Sequence, residues 1–397
     1  MLQRRRAGRI RPQLDGLRAV LATLGDPQRR FPSILVVGTN GKGSTVAMLE
    51  AVLRAHGLTT GLYTSPHLVR VEERIRLDGR LISGAELEDR LVDLEAFPEL
   101  TYFEALTAVA FTVFAEAEVE VAVLEAGMGG SWDATRLAGS AIAGLTNVGS
   151  DHGAWLGAQR QEIARDKGQA LEAAERAVYG AGVPADILTE LGAPAASAAD
   201  SMVRVAGDGA GRIRLAWEDA EVAIRLPLAG SHQVENLQLA VALALEAVDQ
   251  GLLAGLESTR VREALEGLEW PGRLSVHRVA GRSVLVDCAH NLEAARSLAG
   301  YLDGVDRRYN LLFSCLDDKP VEAMAEILEP FVGKIAVCPL ADERTLPLEQ
   351  LAAAFPNAVQ ADSPLEGLKL LSDPVLAAGS VRLVGELLAH AEETLAS

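Results

Sequence analysis

The eight residues Gly38 to Thr45 read GTNGKGST, directly after the apolar run Ile34 to Val37 and directly before a helical pattern. Glycines at 38, 41 and 43 let a backbone turn and approach a phosphate closely, and a helix start offers N–H donors. Lys42 adds a positive charge, and Ser44 or Thr45 can reach a bound Mg²⁺. The stretch therefore reads as a phosphate cradle. Its spacing departs from the usual P-loop, since two residues separate Gly38 from Gly41 and Gly43 intervenes between Lys42 and Ser44. A plain strand-to-helix turn is the bland alternative.

Three further groups carry chemistry-bearing side chains. In YTSPHLVRVEERIRLDG, Tyr63 to Gly79, Ser65 and His67 flank a proline after a short apolar run. A hydroxyl there can ligate Mg²⁺, although a Ser-Pro loop taken alone is a turn. The strand-like Val119 to Leu124 ends in Glu125, followed by GMGG, Gly127 to Gly130, and by Asp133. A carboxylate at the end of a parallel strand lies where ligands bind in open α/β sheets, so Glu125 is a candidate metal ligand, and a solvated strand end is the alternative. Asp151 and His152 follow a run ending near Val148, with Lys167 further on in a helical pattern. Histidine there can complete a second metal site through a ring nitrogen, although a lone histidine after a strand is more often structural.

Short β-branched runs alternating with helical-period segments must position these groups, a pattern that implies an α/β protein. The strands expected first are Ile34 to Gly38, Val119 to Glu125 and Ala141 to Val148, with a helix over Ser44 to His56 stopped by Gly57. An Ala-rich helical stretch is expected from Gln169 to Ala199. A hairpin of Ile213 to Trp217 and Val222 to Leu228 follows, then a helix over Gln233 to Gly251. Trp270, Pro271 and Gly272 punctuate the chain, dividing it into domains 1–270 and 271–397. In the second, strands are expected at Ser283 to Cys288, Tyr309 to Leu316, Lys334 to Leu340 and Val381 to Val384.

At 397 residues the chain suits two domains, and 49% apolar with 23% charged residues is an ordinary globular balance. A formal charge of -18 disfavours nucleic acid and anionic lipid as partners. The basic cluster Arg4 to Arg6, Arg9 and Arg11 has no apolar stretch after it and reads as a solvated tail. No apolar run is long enough to span a bilayer. Cys288, Cys315 and Cys338 are far apart in apolar runs, so buried reduced thiols in a cytoplasmic protein are expected.

The whole set resembles the folylpolyglutamate and dihydrofolate synthase family of Mur-type amide ligases. The resemblance is carried by GLRAVLATLGDPQRRFP, TSPHL, YFEALTAVAF, LEAGMGG, DAT, SDHGAWLG, SHQVENLQLA, WPGRL, DCAHN and LVGE, in that order. It implies an N-terminal P-loop-type mononucleotide-binding parallel sheet domain with a small β element, and a C-terminal Rossmann-like α/β domain that ligates glutamate. It further implies that Asn40, Gly41, Lys42, Gly43 and Ser44 hold ATP phosphates, and that Asn236, Arg273, Asp287 and His290 contact the nucleotide, clasped between both domains. Ser65 and Glu125 would bind one Mg²⁺, and His152 a second with Glu125. Lys167 matches a lysine that is carbamylated in the family; the alternative is an ordinary lysine. Phe103, Glu104 and Asp133 match substrate-binding positions. The sequence departs at Ser131, usually arginine in the family, at Arg136, usually asparagine, at Cys288, usually another small residue, and at Pro320, usually acidic.

The activity so implied is an ATP-dependent ligase that adds L-glutamate to dihydropteroate or to tetrahydrofolate through an acyl phosphate, working as a monomer. Lys42, Glu125, His152 and Lys167 are its expected catalytic residues. The alternatives are a Mur-type ligase for a non-folate carboxylate and a nucleotide-binding protein that has lost the reaction.

Overall fold

Ser33–Val37 reads SILVV, apolar without alternation, and all of it is buried, as a parallel strand covered on both faces requires. The computed structural model describes residues 13–149, 159–181, 183–191, 196–207 and 212–391. Two compact units emerge, the first comprising Met1–Pro66, Glu72–Pro227 and Gln233–Leu268, the second His67–Val71, Leu228–His232 and Glu269–Ser397. The second unit thus takes in two short segments that a single cut at residue 270 leaves behind.

The first unit is built on an eight-stranded sheet of order β4-β3-β2-β5-β1-β6-β7-β8. Its strands are β1 (Ser33–Val37), β2 (Thr60–Tyr63), β3 (Ile75–Leu77), β4 (Arg80–Leu81), β5 (Val121–Glu125), β6 (Ile142–Leu145), β7 (Arg176–Tyr179) and β8 (Ala196–Ala198). From β2 to β8 all neighbours are parallel, and the hairpin β3-β4 adds an antiparallel edge. Helix α1 (Lys42–Ala55) and helix α2 (Tyr102–Glu116) are apolar on most sides and correspondingly buried. The Phe111 and Phe114 rings of α2 pack at 6.2 Å and 5.9 Å from Phe31. Helix α3 (Arg160–Glu172) and helix α4 (His232–Asp249) follow. A separate three-stranded sheet joins β9 (Arg204–Gly207), β10 (Ile213–Trp217) and β11 (Ala220–Ile224). The expected hairpin is β10-β11, turned tightly at Glu218 and Asp219, with Glu218 left-handed at φ 45°.

The second unit has a six-stranded sheet of order β12-β13-β17-β14-β15-β16, parallel apart from β12. These strands are Ser275–Val279, Arg282–Val286, Tyr309–Phe313, Val332–Val337, Val359–Gln360 and Val375–Ala378 for β12 to β17 in chain order. Successive residues alternate between two cores: Leu311 and Phe313 enter one, Leu312 the other, so both faces are covered. The α/β class is therefore as the sequence indicates.

Two local expectations need correction. Val381 to Val384 is not a strand but the start of the helix Val381–Leu388, because Leu383, Val384 and Leu387 recur at helical spacing and Ser380 caps it by accepting the Arg382 N–H at 3.0 Å. The strand is β17, just upstream. The Ala-rich stretch from Gln169 is interrupted: α3 ends at Glu172 and RAVY forms β7, because a central sheet position outweighs weak helical propensity. Among the described residues no helix is long and apolar enough to cross a membrane. All three cysteines are buried and free.

Phe114 is wholly buried against Phe31 and lies 2.7 Å from where a Cβ on Gly61 would sit. Phe114→Ala is expected to destabilise the first unit by about 3–5 kcal/mol, read as a lowered unfolding temperature in calorimetry.

Candidate active site

Strand order gathers the chemistry. The consecutive neighbours β2, β5, β1 and β6 run parallel, so their carboxyl ends emerge side by side at strand spacings of about 4.8 Å. After β2 comes Ser65, at the end of β5 stands Glu125, after β1 comes the glycine-rich loop Gly38 to Gly41, and after β6 come Thr146 and Asn147. Such a row of carboxyl ends is where open α/β sheets take ligands.

The loop Gly38 to Gly41 is fixed from several sides. Gly38 has φ 149°, and a Cβ there would lie 1.8 Å from Thr146 Oγ1. Gly41 has φ 86°, and a Cβ would lie 2.1 Å from Asn236 Oδ1. Only glycine suits either position. Thr146 Oγ1 and Asn147 Nδ2 donate to the Asn40 carbonyl at 2.6 Å and 3.1 Å, and the Asn40 N–H donates to Asn147 Oδ1 at 3.0 Å. Asn236, from α4, donates to Gln233 Oε1 at 3.0 Å. Gly41 caps α1, whose first turn holds Lys42, Gly43, Ser44 and Thr45, and Thr45 Oγ1 is buried without a hydrogen-bond partner among the described residues. Thr146 and Asn147 escaped the sequence reading, because a Thr-Asn pair after a strand has no distinctive spacing.

Two lysines converge on this loop. Lys42 Nζ donates to the carbonyls of Gly38 and Thr39 at 2.9 Å and 3.1 Å. Lys167, on α3 and only 4% exposed, donates from Nζ to the same Gly38 carbonyl at 3.0 Å. Glu125 is 5% exposed and accepts the Ser65 N–H at 2.9 Å, which joins the two expected metal ligands. Among the described residues no cluster of three His, Cys, Asp or Glu forms a metal cage. The donor set instead suits Mg²⁺, which keeps waters and is held by one or two carboxylates plus substrate phosphates. Asp151 and His152 lie outside the described residues.

Phe103 and Glu104 open α2. The Phe103 ring abuts Gly127, where a Cβ would lie 2.7 Å from it, and packs 5.8 Å from the Tyr63 ring. Glu104 is engaged in the capping box with Thr101, accepting its N–H at 2.7 Å. Asp133 accepts from the Met128 and Thr135 N–H groups at 2.9 Å and 3.0 Å and from Thr135 Oγ1 at 2.6 Å. Burial pushes its carboxyl up, with those bonds opposing. Burial likewise raises the Tyr63 hydroxyl, with Arg74 opposing.

The second unit has a polar cluster of its own beyond β13. Asp287 accepts from the Leu274 and Ala289 N–H groups at 3.1 Å and 2.9 Å. Burial raises its carboxyl, opposed by Arg273 and His232; burial also lowers His232, opposed by Asp287. Arg273 Nη1 donates to the Gly272 carbonyl at 3.2 Å, and His290 Nδ1 bonds the Cys288 carbonyl at 2.8 Å. Burial pushes the Cys288 thiol up to about 11, against the effect of Arg273, leaving it a protonated packing group.

A family model, the Mur ligase middle domain, matches residues 36–244. A Mycobacterium tuberculosis protein named dihydrofolate synthase/folylpolyglutamate synthase is 35% identical, across 87% of this chain and 78% of that one. The chain belongs to the folylpolyglutamate and dihydrofolate synthase family. A solved Mycobacterium tuberculosis folylpolyglutamate synthase complexed with ADP shares 32% identity and a TM-score of 0.88, covering 98% of this chain and 96% of that one. A bifunctional folylpolyglutamate synthase/dihydrofolate synthase solved with Mn, AMPPNP and L-glutamate bound shares 29% identity and a TM-score of 0.82, covering 96% and 94%. Against a Halobacterium salinarum relative named as a probable bifunctional folylpolyglutamate synthase/dihydropteroate synthase, identity is 34% over 90% of this chain, which spans 45% of that protein's length.

Gly41 is where the glycine-rich loop meets α4. Gly41→Ala is expected to weaken ADP binding by about tenfold or more through backbone strain and displacement of Asn236, read by titration calorimetry.

Proposed function

We propose that this protein is an ATP-dependent ligase that joins L-glutamate to a folate-type carboxylate, dihydropteroate, tetrahydrofolate or both. The observation that carries the reading is the meeting of Lys42 and Lys167 on the Gly38 carbonyl, beside a strand that ends in a buried carboxylate, in a chain of this family. Lys42 with main-chain N–H groups suits a polyphosphate, and Glu125 with Ser65 suits its Mg²⁺.

In this reading the acceptor carboxylate attacks the γ-phosphorus of ATP, giving an acyl phosphate and ADP. The glutamate amino group then attacks the acyl carbon, phosphate leaves, and the amine loses a proton. Asn40 to Ser44 hold the phosphates, and Lys42 offsets charge that builds on the transferring group, a matter of positioning and electrostatics. Bound Mg²⁺, with Glu125, Ser65 and His152 as its proposed ligands at two sites, supplies further neutralisation of phosphoryl charge. Asn236, Arg273, Asp287 and His290 are proposed nucleotide contacts. Phe103 and Glu104 are proposed to meet the acceptor, and Asp133 to act there by shaping the loop that its carboxylate ties together. Buried free cysteines support a reducing cytoplasm, and the family resemblance supports a monomer.

The direct test is phosphate release with MgATP and glutamate, comparing dihydropteroate with tetrahydrofolate and identifying products by mass. Glutamylated product from either acceptor is the expected result, and ATP binding without product from both would send the assignment to a non-folate carboxylate. Lys42→Ala and Glu125→Ala are each expected to lower turnover by about 10²–10³ or more while leaving the protein folded.

Lys167 is proposed to act as a carbamate, which converts its cation to a ligand-like anion. Turnover should then rise with bicarbonate, and a small carboxylate should partly restore Lys167→Ala. Indifference to both would leave Lys167 as a cation on the Gly38 carbonyl.

A further inference from the structure

Two contacts tie the loop after Glu125 to the helix that carries Lys167, and a third braces that loop. Gly130 lies so close to α3 that a Cβ would stand 2.5 Å from the Asp166 carbonyl oxygen and 2.8 Å from Lys167 Cα. Next to it, Ser131 Oγ donates to Asp166 Oδ1. Arg136, five residues on, donates from Nη1 to the Ser131 carbonyl at 2.8 Å and so holds that loop from the far side. Asp166 Oδ2 is buried without a hydrogen-bond partner among the described residues, which makes the Ser131 hydroxyl the one donor to this carboxylate there.

Successive residues of a helix diverge by about 100°, so Asp166 and Lys167 address different neighbours. Fixing one azimuth fixes the other. Lys167 Nζ must sit within hydrogen-bond reach of Gly38, and a modest rotation or slide of α3 would carry the amine off. From this geometry we propose that Ser131 and Asp166 are positioning residues. Their hydrogen bond, braced by Arg136, sets the rotation of α3 and thereby holds Lys167 on the phosphate loop. Ser131 and Arg136 here form one device. The pair acts through Lys167, resting on the ligase reading for its effect on turnover but not for its effect on the lysine.

The test joins kinetics to amine labelling. In Ser131→Ala, kcat is expected to fall about tenfold with KM for ATP within about threefold, while Ser131→Thr, which keeps the hydroxyl, recovers most of the loss. On a Lys167→Ala background the same Ser131→Ala change should cost less than about twofold, because the residue through which it acts is gone. Acylation of Lys167 in carbon dioxide-depleted buffer, followed by peptide mass spectrometry, should run about fivefold faster in Ser131→Ala and in Asp166→Asn than in wild type. Asp166→Asn guards against one variant failing to fold, and unfolding temperatures accompany each.

Unchanged labelling in both folded variants would overturn the proposal. So would additive kinetic losses, or a raised KM for the folate acceptor with kcat kept, which would make Ser131 a substrate contact. Absence of ligase turnover in the wild type would instead overturn the ligase reading, and labelling would still decide the positioning pair.

Discussion

The backbone of the loop after β1 tolerates no Cβ at two positions, and the first unit is organised around that constraint. Gly38 and Gly41 adopt left-handed geometry in spaces already filled by Thr146 and Asn236. Those two side chains belong to the segment after β6 and to α4, so the loop's shape depends on elements far away in sequence. The sheet order performs the rest. Because β1 lies between β5 and β6, with β2 beyond β5, anything attached to the carboxyl ends of these strands meets at the loop.

Charge is distributed against the protein's overall sign. A chain of net charge -18 would repel a nucleotide at long range, yet the loop concentrates two ammonium groups on one carbonyl oxygen. Buried groups are screened little and their direction is fixed, so such local charge acts apart from the net charge. Asp133 illustrates the complementary use of a carboxylate. Its oxygens accept from Met128 and Thr135 and tie the loop after β5 together.

Motifs and alternation made the α/β class, the strand-to-helix loop after β1 and the strand-end carboxylate legible, since each depends on local spacing. What stayed hidden depends on tertiary partners. RAVY becomes a strand because β6 offers it an edge, which no propensity records. Val381 to Val384 has strand-like composition, and its helical fate is decided by the Ser380 cap and by apolar residues further along. The Ser131 and Asp166 contact spans 35 positions and joins two polar residues of ordinary type. Gly130 beside it reads simply as part of a glycine-rich loop. The role expected of His152 falls on residues outside those described.

The second unit is discontinuous along the chain, and Leu68 is the residue that makes this consequential. Gly385 leaves so little room that a Cβ would lie 2.1 Å from the Leu68 carbonyl oxygen, and Gly272 would meet the Leu68 side chain at 3.3 Å. Leu68 thus completes its packing only with residues synthesised much later. The second unit is therefore not an autonomous continuous module: it draws on a segment that leaves the ribosome long before the rest of it. That separation gives its closing contacts a high contact order and a correspondingly slow final step.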